Sequence, residues 1–149
     1  MEARGWFERA AAEMRQGDAE GRVSQAEVGA ALHAIGGCLY RTGAFEEART
    51  WFEQALTCAR SGGLRREVRQ NDVAAALLSI GCCLAGTGDF EKGLVRCEES
   101  IGLSRQARDE GRGNPALLKA ALESAASCLR KVGRQSEAAA YEQDAGQLS

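Results

Sequence analysis

Apolar residues recur along this chain at intervals of four, three and four. Val28, Leu32, Ile35 and Leu39 form one series, Val73, Leu77, Ile80 and Leu84 a second, and Leu118, Leu122, Ala125 and Leu129 a third. That spacing draws one apolar stripe along an α-helix. Equivalent members of the series stand 45 residues apart, and so do Gly43, Gly88 and Gly133 beyond them. After each glycine a further set begins: Phe45, Ala48 and Phe52, then Phe90, Gly93 and Cys97, then Gln135, Ala138 and Glu142. Each period therefore predicts two amphipathic helices joined by a short glycine turn. One period before Trp51-Phe52-Glu53-Gln54-Ala55 stands Trp6-Phe7-Glu8-Arg9-Ala10, so the chain opens on a second helix that lacks a first.

The pattern predicts an all-α fold of seven helices, at roughly 2–16, 25–41, 45–61, 68–86, 90–106, 115–131 and 135–147. They form one unit over 1–149, divided into a half repeat (1–22) and three full repeats (23–67, 68–112 and 113–149). Gly17, Gly62, Gly63, Gly111 and Gly113 fall in the expected connections, and Pro115, the single proline, falls where a first helical turn tolerates it. Small residues at Gly36, Gly81 and Ala126 mark where paired helices should approach closely, since a larger side chain would push them apart.

Composition narrows the function. A length of 149 residues with 44% hydrophobic content suits one continuous core, and a net charge of -2 gives no general attraction for nucleic acid or anionic lipid. Charges interrupt the first residues where a signal peptide needs an apolar run, and the most apolar stretch, 73–86, is too short to span a bilayer. A soluble, cytoplasmic protein is expected.

Leu32, Ile35-Gly36, Leu39, Gly43, Phe45, Ala48, Phe52 and Ala55 resemble the tetratricopeptide repeat pattern in order and spacing. The period of 45 is similar to the long-helix variety of kinesin light chain repeats. This resemblance implies an α-α superhelix, or solenoid, of antiparallel helix pairs, with a concave groove lined by each pair's first helix. It further implies a protein-interaction module that holds a short peptide or helix of a partner. The groove positions it implies are His33, Gly37, Tyr40 and Arg41, then Leu78, Cys82 and Ala85, then Glu123, Ser127, Arg130 and Lys131. Leu78 with Cys82 would make an apolar centre, rimmed by Tyr40, Arg41, Arg130 and Lys131. The Asn and Lys residues with which the family's best-known clamp grips peptide carboxylates are absent from these positions.

Other chemistries find little support. Cys38, Cys83 and Cys128 are equivalent in the repeat, which places neighbours about 8–10 Å apart, beyond the roughly 7 Å Cα limit for a disulfide. The six cysteines are read as reduced packing residues, with no metal site and no cofactor. His33 is the only histidine and is expected to be solvated or to face the groove, so no base is paired with a nucleophile and no enzyme is expected. Arg60, Arg65, Arg66 and Arg69 read as a charged connection. Trp6 and Phe7 keep core register without a first helix beside them, which makes homodimerisation through this end the alternative function.

Overall fold

The computed structural model describes residues 3–19, 25–61 and 66–148. Its seven helices are α1 (Ala3–Ala19), α2 (Gln25–Arg41), α3 (Phe45–Arg60), α4 (Arg66–Gly86), α5 (Phe90–Asp109), α6 (Pro115–Lys131) and α7 (Gln135–Gly146). The described residues contain no strand, and none of their helices is long and apolar enough to cross a membrane. The side chains of Trp6, Phe7, Arg66 and Arg69, like the whole of Arg65, Gly62 and Gly63, lie outside the described residues.

Turn chemistry sets the helix ends. Gly43, Gly88 and Gly133 have φ of +84°, +92° and +83°, the left-handed region that lets a helix stop without a side-chain clash. The N–H after each glycine then donates five residues back, from Ala44, Asp89 and Arg134 to the carbonyls of Leu39, Leu84 and Leu129 at 2.9–3.0 Å. These three turns have one geometry, and each reverses the chain into an antiparallel neighbour.

Two expected boundaries move. Helix α1 continues to Ala19 through Gly17, which was expected in a connection; a glycine inside a helix costs about 1 kcal/mol relative to alanine and does not by itself end one. Helix α5 runs three residues beyond its expected end at 106, because Ala107 is fully buried and the first residue able to terminate the helix is Gly111, at φ +77°. There Arg112 N–H donates to the Ala107 carbonyl at 2.8 Å. Helix α6 starts where expected, with Pro115 in the first turn and the Asn114 side chain accepting from the Leu117 N–H at 3.2 Å.

Each helix packs on the next in sequence, and α4 also touches α6. The apolar stripes meet in three clusters. Ala11, Val28, Leu32, Ile35, Trp51 and Ala55 join α1, α2 and α3. Phe52, Leu56, Val73, Leu77 and Ile80 join α3 to α4, and a third cluster around Leu94, Ile101, Leu118, Leu122 and Leu129 joins α5, α6 and α7.

The tightest crossing is between α4 and α5. A Cβ on Gly81 would stand 2.9 Å from the Gly93 carbonyl oxygen and 2.8 Å from Cys97 Sγ, and one on Gly93 would stand 2.9 Å from the Gly81 oxygen. Backbone meets backbone here because neither residue has a side chain. Polar ties lie beside the apolar ones: buried Ser100 donates to the Ala74 carbonyl at 2.7 Å. The loop before α6 is fastened back to α4, with Asn71 donating to the Arg112 carbonyl at 3.2 Å and Arg112 donating to Gln70 Oε1 at 2.9 Å.

Candidate binding surface

The apolar stripe of α4 faces α3 and α5, and the flank about 100° further around the helix carries the next residues in phase, Leu78, Cys82 and Ala85. All three are half-buried. Leu78 and Ala85 pack against the cluster shared by α5, α6 and α7, and Cys82 Sγ lies 3.7 Å from Ser124 Oγ on α6. The expected apolar centre is thus partly covered by α6 and offers only part of its surface.

On α2, Gly37 is open: a Cβ there would meet no heavy atom within 4 Å. Tyr40, 37% exposed, lies edge-on to Phe45 with ring centroids 5.2 Å apart. Arg41 is exposed and points back to its own helix, Nη2 to Cys38 Sγ at 3.5 Å. The Tyr40 hydroxyl is pushed above its ordinary range, chiefly by burial.

The α6 residues are arranged differently. Glu123 and Ser127 are exposed. Arg130 donates to Glu142 at 2.5 Å and to Gln135 at 2.6 Å on α7, and Lys131 Nζ sits 6.0 Å from the centroid of the Phe90 ring on α5. The two α6 cations of the expected rim are therefore engaged with neighbouring helices. Leu78, Cys82 and Ala85 come together with α6, Tyr40 lies against Phe45 of α3, and Arg130 and Lys131 turn toward the second helices.

His33, expected to be solvated or to face the groove, has a half-buried ring whose centroid lies 4.9 Å from that of Phe52 on α3. Burial pushes its pKa below the ordinary value, while the charge of Asp72 on α4 pulls it up. An imidazole depressed in the folded state binds fewer protons there than in the unfolded chain. Stability is then full above the unfolded pKa of about 6.5 and falls as pH drops from there through the lower folded value. Denaturant titrations at pH 7.5 and pH 5 should show that loss, and His33→Gln should reduce it; equal loss in the variant would assign it to other groups.

The cysteines hold a contact that the period conceals. All six are free thiols, with Cys83, Cys97 and Cys128 buried. The equivalence of Cys38, Cys83 and Cys128 says nothing of Cys97, which comes from the second helix and shares a hydrogen bond with Cys128 that raises the Cys97 pKa and lowers that of Cys128. Cys83 is pushed up to about 12, chiefly by burial. Such a thiol stays protonated at neutral pH and is a poor nucleophile. A sequence signal for the Cys97–Cys128 contact existed in the small residues Gly81, Gly93 and Cys97, which together permit a closer crossing than Gly36, Ala48 and Phe52 do one period earlier.

No protein-family model matches the chain, and no curated protein matches it either.

Proposed function

We propose that the chain is a tetratricopeptide-like helical array in which α2, α4 and α6 form one concave wall, and that this wall holds a short amphipathic segment of a partner protein. The observation that carries the reading is the direct packing of one first helix on another. Helix α4 touches α6, with Cys82 beside Ser124, and the equivalent positions Gly37, Cys82 and Ser127 keep the floor small. A floor of small residues lets a ligand backbone or helix lie close. The free thiols fit a reducing compartment such as the cytoplasm, and binding without catalysis is the reading we adopt.

Half-buried Leu78 is a poor probe of such a site, because changing it also disturbs packing. Gly37 is a clean one. Gly37→Gln fills open space on the wall and removes a glycine from a helix interior, so its thermal midpoint should equal or exceed that of the wild type. Affinity purification with both proteins should recover a stoichiometric partner with the wild type and at least tenfold less of it with Gly37→Gln. Equal recovery would place the site elsewhere. A second reading, self-association, draws on α1, which packs on α2 and makes no comparable contact with another described helix. Concentration-dependent dimers in sedimentation, lost in Trp6→Glu, together with no recovered partner, would favour it.

A further inference from the structure

Helices α5 and α7 both begin directly after a glycine turn, but α5 has 20 residues and α7 has 12. Helix α7 therefore stops short of the last turn of α5. A cavity of ≈ 250 Å³ opens there, bounded by Ser104, Arg108, Asn114, Pro115, Leu118 and Leu148. A shallower hollow of ≈ 430 Å³ continues past Arg108 and Leu148 to Arg105 and Asp144.

Two polar groups in the cavity lack adequate partners. Ser104 is 2% exposed, and its hydroxyl has no hydrogen-bond partner among the described residues, an expensive arrangement for a buried group. Among the described residues Arg108 meets the adjacent Asp109 alone, at 3.5 Å with both side chains largely exposed, which is a weak contact. Arg105, by contrast, is engaged by Asp144 at 2.9 Å. The positive end of α6 also points at this loop, and its first turn holds no acidic residue to neutralise it. Of the remaining walls, Pro115, Leu118 and Leu148 are apolar, and the Asn114 side-chain oxygen is taken up by the Leu117 N–H.

We propose that this slot binds a carboxylate carried on a compact apolar group about the size of leucine. The carboxylate accepts from Ser104 Oγ and from the Arg108 guanidinium, and the apolar group rests on Pro115, Leu118 and Leu148. A neutral ligand leaves Arg108 unanswered, and a larger or strongly hydrated anion such as inorganic phosphate gains nothing from the apolar walls. The slot lies among α5, α6 and α7 and is separate from the α2–α4–α6 wall. The same chemistry is presented by a free branched-chain acid and by the C-terminal residue of a polypeptide.

The test is a nitrogen–proton NMR titration of the full chain with N-acetyl-leucine, N-acetyl-leucinamide, and a pentapeptide ending in leucine with a free or an amidated C-terminus. The acid should move the resonances of Ser104, Gly111, Gly113 and Leu118 saturably, with the amide at least tenfold weaker. Arg108→Gln should weaken the acid at least fivefold and Ser104→Ala about threefold, both with otherwise unchanged spectra. Tighter binding of the free-ended pentapeptide than of N-acetyl-leucine assigns the ligand to a polypeptide end; equal binding assigns a small acid. Absence of saturable shifts with either acid, equal binding of acid and amide, or indifference to Arg108→Gln would overturn the proposal.

Discussion

Gly81→Leu is expected to lower the free energy of unfolding by about 3 kcal/mol, the upper part of the range for overpacking a core. A Cβ at this position meets the Gly93 carbonyl oxygen at 2.9 Å, and that oxygen belongs to the backbone of α5, so no rotamer change relieves the clash. The helices must separate, which loosens Ile80, Leu94 and Cys97 together. Even Gly81→Ala should destabilise, against the usual preference for alanine inside a helix. Gly37→Ala is the matched control, with empty space around the new methyl, and should stabilise by about 0.5–1 kcal/mol. Urea denaturation of the three variants reads both signs. A Gly81→Leu protein that unfolds at the wild-type midpoint would mean that α4 and α5 do not cross at this residue.

Phe52→Ala should cost about 3–5 kcal/mol, as expected for removing a buried aromatic ring. Phe52 is 3% exposed, and its ring stands 2.7 Å from where a Cβ on Gly36 would lie, so the space it leaves cannot be filled by the facing residue. The same change uncovers His33. Water then reaches the imidazole, and its pKa should rise from its depressed value toward about 6.5. The chain has one histidine, so a proton NMR titration follows it without assignment work. A small loss of stability with an unmoved His33 titration would contradict the stacking of these two rings.

The number and order of the helices were legible because three glycines at one interval end three helices in one way. Gly43, Gly88 and Gly133 do adopt positive φ, and the stripes through Leu32, Leu77 and Leu122 are buried. Less could be read of the candidate surface. A period identifies equivalent positions, but each position's neighbours depend on what has changed in the other copies. Arg130 illustrates this: Glu142 stands where Phe52 and Cys97 stand earlier, and it holds Arg130 in an ion pair that neither earlier copy can make. His33 shows the complementary case, since its burial depends on the breadth of the Phe52 ring, which intervals do not express. The slot beside Ser104 was also hidden, because it arises from the unequal lengths of α5 and α7. Helix ends are the least certain feature of a hydrophobic pattern.

The tie from Arg112 to Gln70 and Asn71 gives the chain a mechanical shortcut. Pulling on the C-terminal helices would ordinarily load α5 first, because α5 lies between them and α4 in sequence. With the loop before α6 hydrogen-bonded directly to the start of α4, part of that load passes around α5. The α4–α6 contact at Cys82 and Ser124 offers a second route farther along the same helices. Helices α4, α5 and α6 are thereby linked as a triangle rather than a string, and they should open as one cooperative block while α1 and α7 fray from it separately.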